Sequence, residues 1–144
     1  MKRMKPKETL IYSVVFVILV LLDQLVKDFF LKTNAYYDLG FFALHLVTNT
    51  GASFGMLKPY NIVLLVLSVI VLAGIFLYFR RVMPNARPYL LLIAAGTMGN
   101  LLNRMAYGFV VDFIDFRFFP VFNFADMFIF FGIVGFGILL LREK

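Results

Sequence analysis

Two aspartates stand fourteen positions apart in a largely apolar stretch. Asp112 lies in Gly108-Phe109-Val110-Val111-Asp112-Phe113, and Asp126 in Phe122-Asn123-Phe124-Ala125-Asp126. Pro120 between them lets the chain turn back, so both acids are expected at comparable depth, Asp112 ending one helix and Asp126 in the first turns of the next. Two carboxylates in a low-dielectric cleft cannot both ionise cheaply, and they can share a proton. One can then take a proton from water while the other donates to a carbonyl, the acid–base division of a two-carboxylate peptidase. The same spacing admits a structural arrangement, in which Asp112 pairs with Arg104 or Arg117 and Asp126 caps a helix start.

Other polar groups fall near these acids. Asn123 and Asp126 are at i and i+3 and share a helix face. Gly96, Gly99, Asn100, Asn103 and Arg104 fall within an arc of roughly 140° on a helix. Such a face must point at other helices, either for close packing alone or to support a hydrogen-bonded site. Asp23 and Lys27, at i and i+4 with the acid first, are spaced for an intrahelical pair that either eases one helix end into the interface or supports a site. Several chemistries are excluded. There is no cysteine, hence no thiolate nucleophile, disulfide or Cys-based zinc site, and the one histidine, His45, leaves no pair for a His-x-x-x-His metal site. Gly51-Ala52-Ser53-Phe54-Gly55 matches the G-x-S-x-G pattern, but that motif needs an α/β sheet that this chain cannot build. His45 is read as an interfacial histidine in a strand.

The elements that must hold these groups follow from hydropathy. Of 144 residues 62% are hydrophobic and 15% charged, against about 45–50% and about 25% in soluble domains. A chain of this size cannot hide that much apolar surface from water. The expected fold is an all-α membrane protein, a single integral-membrane domain over residues 1–144, with four transmembrane helices at about residues 9–26, 61–79, 89–111 and 121–141. Residues 28–60 form the longest segment between spans. Its apolar runs, broken by turn residues such as Thr48-Asn49-Thr50-Gly51, predict a small β-structured segment on the membrane surface between helices 1 and 2. The first span is read as a retained helix, because no small-x-small cleavage site follows it.

Four spans put both termini on one side. That side then holds Lys2, Arg3, Lys5, Lys7, Arg80, Arg81, Arg87, Arg142 and Lys144, nine of the 14 basic residues. Short loops rich in Lys and Arg face the cytoplasm, so both termini are expected there. The net charge of +6 is accordingly a topology signal, and no nucleic-acid partner is expected. The acids fall the other way: Asp23, Asp28, Asp38, Asp112, Asp115 and Asp126 stand at or beyond the outer ends of the spans.

The chain resembles the lipoprotein signal peptidase (signal peptidase II) family of bacterial intramembrane aspartic peptidases. Five stretches carry the resemblance, in the family's order: Asp23-Gln24-Leu25-Val26-Lys27, Asn49-Thr50-Gly51-Ala52-Ser53-Phe54, Gly96-Thr97-Met98-Gly99-Asn100-Leu101-Leu102-Asn103-Arg104, Gly108 to Phe113, and Phe122 to Asp126. The resemblance implies that Asp112 and Asp126 are the catalytic pair. It implies that Asn49, Asn100, Arg104 and Asn123 line or order the site, with Asp23, Lys27 and Gly51 supporting it. It also implies a substrate, a prolipoprotein cut just before a diacylglyceryl-modified Cys, and a multi-pass protein of the bacterial inner membrane with its site near the outer face. No metal or cofactor is implied, and a monomer among membrane lipids is expected. At two positions the chain departs from the family pattern: Asn103 stands where an Asp is usual before the arginine, and Thr97 where a Gly is common.

Two other classes of function fit four apolar spans. A proton-coupled transporter would use the two acids as relay groups, but such groups belong nearer the bilayer middle. A scaffold would have no use for clustered acids and amides.

Overall fold

The computed structural model describes residues 4–51 and 58–142, the side chains of residues 58–60 excepted. Lys2, Arg3, Ala52, Ser53, Phe54, Gly55 and Lys144, which figured in the motifs and the charge balance, lie outside the described residues. Four helices, α1 (Pro6–Thr33), α2 (Lys58–Tyr78), α3 (Arg87–Tyr107) and α4 (Phe124–Arg142), dominate the chain. Three strands, β1 (Tyr36–Asp38), β2 (Ala43–Asn49) and β3 (Val110–Asp115), form one antiparallel sheet in the order β1-β2-β3.

Local chemistry sets the ends of the helices. Pro6 occupies the first turn of α1, where its missing N–H costs nothing, and Glu8 accepts the backbone N–H of Lys5 at 2.9 Å. Asn34 ends α1 in the left-handed region (φ 50°), its N–H returning to the Phe30 carbonyl at 2.9 Å. Gly108 ends α3 in the same way (φ 76°), bonded to the Arg104 carbonyl at 3.0 Å.

These ends shift three expected boundaries. α1 continues seven residues past Val26, because the charges at Lys27 and Asp28 end an apolar run without breaking a helix. Asp23 is therefore well inside α1 and not at its end. α3 stops at Tyr107, so Val110, Val111 and Asp112 belong to a strand and Asp112 does not end a helix. α4 begins at Phe124, three residues later than hydropathy placed the fourth span. The sheet also differs from the expected one. Only β1 and β2 come from the segment between α1 and α2; β3 arrives from between α3 and α4 and pairs with β2. β2 runs through Thr48 and Asn49, which the sequence reading placed in a turn.

α1, residues Asn61–Tyr78 of α2, and α4 are each long and apolar enough to cross a membrane. α3, which carries the polar residues, packs against all three. The protein is thus membrane-embedded, with its polar helix in the middle and apolar faces of α1, α2 and α4 outward. α3 and α4 meet through glycine. A Cβ on Gly96 would collide with the Ala125 carbonyl, and one on Gly132 would stand 2.8 Å from the Tyr89 carbonyl. Without side chains there, two backbones approach closely, and dispersion replaces the hydrophobic effect that lipid cannot supply. Above the helices, Phe113 of β3 stacks on Phe30 of α1 (5.1 Å between centroids) and meets Phe124 of α4 edge-on (5.2 Å). These rings fix the sheet to the helix ends.

Candidate active site

Asp112 sits in the middle of β3 and is buried. Val47 of β2 lies opposite it, and Asn49, two residues further on, faces the same side of the sheet. The Asn49 amide donates to Oδ2 of Asp112 at 2.9 Å. Gly51 shapes this contact from outside the cluster: its backbone, at φ 78°, sends its N–H to Oδ1 of Asn49 at 2.8 Å, which leaves the amide nitrogen pointing at Asp112.

The chain reverses beyond β3. Ile114 and Phe122 form an isolated bridge, and the Phe122 carbonyl accepts the N–H groups of both Phe113 (3.1 Å) and Ile114 (2.9 Å). This delivers Asn123 beside Asp112 and starts α4 at the next residue. Asn123 caps α4: its Oδ1 accepts the Asp126 N–H at 2.9 Å, while Asp126 Oδ2 accepts the Asn123 N–H at 3.2 Å. The Asn123 amide donates to Oδ1 of Asp112 at 2.6 Å. One residue thus holds both acids. Asp126 thus takes part in capping a helix start, and it also lies within electrostatic reach of Asp112. Neither arginine pairs with Asp112: Arg117 binds Asp38 at 2.6 Å, and Arg104 forms no ion pair among the described residues.

A layer of amides and charges lies behind the two acids. Asn100 of α3 donates to Oδ1 of Asp126 at 2.7 Å and accepts from Lys27 of α1 at 2.8 Å. Lys27 and Asp23 form a buried ion pair at 2.7 Å. Asp23 also accepts the Ala125 backbone N–H at 2.9 Å, one of the donors that the first turn of α4 leaves free. The pair is therefore part of the cluster, which removes the alternative of a helix-end pair at the interface. Gly99 makes room for it, since a Cβ there would stand 2.5 Å from Oδ2 of Asp23.

Gln24 and Asn103 join this layer, although neither was assigned a place in the site. Gln24 donates to Asp23 at 2.9 Å and to the Gly99 carbonyl at 3.0 Å, and it accepts from Asn103 at 3.0 Å. Asn103 in turn accepts the Val111 N–H at 3.0 Å and so ties the strand next to Asp112 to α3 and α1. A carboxylate at position 103 could accept that N–H but could not donate to Gln24. The signal was present in the sequence: Asn103 is three residues from Asn100, on one helix face. Thr97, the other departure, turns its hydroxyl to the Ile93 carbonyl at 2.7 Å within its own helix.

Burial pushes the Asp112 carboxyl up to about 6; the Asn49 amide pulls it back, and the charge of Asp126 adds to the rise. Arg104 lies within electrostatic reach of both Asp126 and Asp112. Its buried Nε has no hydrogen-bond partner among the described residues. Seven of the sequence-selected residues (Asp112, Asp126, Asn49, Asn100, Asn123, Asp23 and Lys27) form one continuous hydrogen-bonded cluster. Arg104 borders it, and Gly51 orients Asn49 from its rim.

The sequence-family model described as signal peptidase (SPase) II matches residues 15–142. That match takes in every residue of the cluster. The chain belongs to the signal peptidase II family. A lipoprotein signal peptidase of Caldanaerobacter subterraneus is 39% identical over 140 residues, covering 89% of this chain and 94% of that protein. One from Halothermothrix orenii is 33% identical over 139 residues, covering 92% and 93%. A bacterial membrane enzyme solved by the in meso method at 1.9 Å superposes with a TM-score of 0.86 at 26% identity, covering 100% of this chain and 99% of that one. As a signal peptidase II the chain is a membrane-embedded peptidase that acts on lipoprotein precursors.

Proposed function

We propose that Asp112 and Asp126 are the catalytic pair of an aspartic endopeptidase that removes the signal peptide from diacylglyceryl-modified prolipoproteins, cleaving on the N-terminal side of the lipidated Cys. The observation that carries the proposal is the double engagement of Asn123, which presents one donor to each carboxylate.

Charge balance indicates how the pair works. Asp23 and Lys27 cancel, and Arg104 offsets one further acid, so the cluster is neutral when Asp112 and Asp126 hold a single proton between them. A water at the pair gives a proton to the ionised carboxylate as its oxygen bonds to the scissile carbonyl carbon. The protonated carboxyl delivers its proton to the carbonyl oxygen, and a tetrahedral diol results. Collapse reforms the carbonyl, breaks the C–N bond and sends a proton to the leaving amine, which returns the pair to one shared proton. Asn49, Asn100 and Asn123 occupy the remaining carboxylate lone pairs and fix the two planes. Arg104, within electrostatic reach of both acids, supplies the positive charge that offsets the one they keep between them. All seven residues of the cluster come from one chain, which supports a monomer that is a single integral-membrane domain.

The proposed setting is the bacterial inner membrane, crossed four times, with both termini cytoplasmic and the acids near the outer face. Basic residues of the N-terminus and of the α2–α3 connection share one end of the bundle, where Arg87 meets Glu8 at 3.7 Å. Single cysteines at Asn85 and Asn34 should react with an impermeant thiol reagent from opposite sides. External labelling of Asn85 in intact cells would invert the orientation and remove the acids from the side where lipidated precursors present their cleavage site. Purified protein in detergent should cut a precursor whose Cys carries diacylglycerol and leave the unmodified precursor intact; cleavage of both at equal rates contradicts the assigned substrate.

A further inference from the structure

At the end of the bundle away from the aspartates, α1 and α2 enclose a groove floored by α3. Tyr12, Phe16, Leu72, Ile75, Leu91 and Ala94 line it, and its volume is about 520 Å³. That lies within the roughly 300–1,000 Å³ of small-molecule sites. Tyr12 and Phe79 meet edge-on across it, 5.4 Å between centroids. The groove continues into a second cavity of about 650 Å³ that shares Met4, Thr9 and Arg80 with it and is otherwise lined by Lys5 and Pro6. An apolar slot therefore opens into a basic mouth.

Among the described residues nothing neutralises that mouth. Among the described residues the side chains of Lys5 and Arg80 form no ion pair and no hydrogen bond. The one described acid at this end, Glu8, is engaged by Arg87 and by the Lys5 backbone N–H. Arg81, next to Arg80, lies over the Tyr78 ring at 5.7 Å. An apolar slot in a membrane-embedded protein fills with hydrocarbon, and a basic pocket between helices selects the headgroup attached to it. Two unpaired cations repel the cationic group of a zwitterionic lipid and also the basic start of a signal peptide; they attract a phosphodiester with no compensating cation.

We propose that this groove binds an anionic glycerophospholipid, with one acyl chain between α1 and α2 and the headgroup phosphate between Lys5 and Arg80. The site is separate from the aspartates, and its test does not depend on their role.

The chain contains no tryptophan, so a single one reports its own surroundings. Phe16→Trp places it in the groove, and Phe131→Trp places it on the lipid-facing side of α4 as a control. Each variant is reconstituted in vesicles of mixed phospholipid containing either phosphatidylglycerol or phosphatidylcholine with brominated acyl chains, which quench tryptophan on contact. With two basic residues near the headgroup, phosphatidylglycerol should occupy the Phe16→Trp site with roughly thirtyfold preference over phosphatidylcholine. Lys5→Gln with Arg80→Gln should reduce that ratio to about one, and Arg80→Lys should retain it. The control should show no preference at either composition. The proposal is overturned by equal quenching at the groove, by the same preference at α4, or by a preference that survives loss of both cations. Relief of quenching on adding lipidated precursor also overturns it, since the groove would then hold the signal peptide.

Discussion

The side-chain amide of Asn123 donates to Asp112 at 2.6 Å while its backbone N–H is held by Asp126 at 3.2 Å. One residue therefore performs two tasks: it starts α4 and it fixes the spacing of two carboxylates. The tasks can be separated. Asn123→Ser keeps a helix-capping oxygen and removes the amide donor. Its stability should stay within about 1 kcal/mol of the parent, while kcat falls on the order of a hundredfold as Asp112 loses its alignment. Thermal unfolding and precursor cleavage, measured on the same sample, check both halves. A variant that is equally stable and fully active would show that the amide does not align the acids.

Lys27 and Asp23 form a buried pair at 2.7 Å. Lys27→Met leaves a buried carboxylate without its cation and should cost about 3–5 kcal/mol. Adding Asp23→Asn, whose side-chain oxygen can still accept the Ala125 N–H, should recover most of that loss. Unfolding midpoints in detergent decide it: a double variant no more stable than Lys27→Met would mean that the pair is not the source of the cost.

Glycines of α3 and α4 differ in what a methyl group would meet. Gly96→Ala drives a Cβ into the Ala125 carbonyl and should destabilise by about 1–3 kcal/mol. Gly137, in α4, has nothing within 4 Å, and Gly137→Ala should be neutral or stabilise by up to about 1 kcal/mol. Equal effects at the two positions would contradict the close packing described.

The raised Asp112 carboxyl makes a stability prediction with a definite sign. Its folded value of about 6 lies above the ordinary 3.8. The folded state then holds a proton more tightly than the unfolded one. The stabilisation this gives is complete below about 3.8 and is lost as pH rises through about 6. Asp112→Asn lacks it at every pH. Between pH 4 and pH 7 the stability difference between variant and parent should therefore move toward the variant, by about 1–2 kcal/mol after allowance for solvent screening. A difference that stays constant over this range would show that Asp112 is not held in its protonated form by the fold.

Much of this was legible from residue types alone. The helix face of Gly96, Gly99, Asn100, Asn103 and Arg104 could be drawn from periodicity, and it proved to be the face that meets α1 and α4. The reversal between Asp112 and Asp126 followed from their spacing and Pro120. What escaped was set by contacts distant in sequence. Hydropathy marks where apolar surface ends, but the backbone of α1 continues past Lys27 because Asn100, 73 positions away, satisfies that ammonium. β3 was hidden because Val110 and Val111 read equally well as the end of an apolar helix; pairing with β2, and Gly108 in a left-handed conformation, decide otherwise. Gln24 gave no periodic signal of its own, and its role depends on Asn103, 79 positions along the chain.

The catalytic assignment is tested most directly by cleavage of a diacylglyceryl-modified precursor by purified Asp112→Asn, Asp126→Asn, the double variant and Asp115→Asn. An amide can neither take a proton from water nor give one to the carbonyl, so each single variant should lose turnover completely and the double variant should be little worse. Asp115 lies three residues along β3, bonded to His45 at 3.1 Å and to the Arg117 backbone. Its Asn variant should keep activity within roughly tenfold, a barrier change of about 1.4 kcal/mol. Near-parental cleavage by either Asp112→Asn or Asp126→Asn, with Asp115→Asn inactive, would contradict the assignment of the two acids.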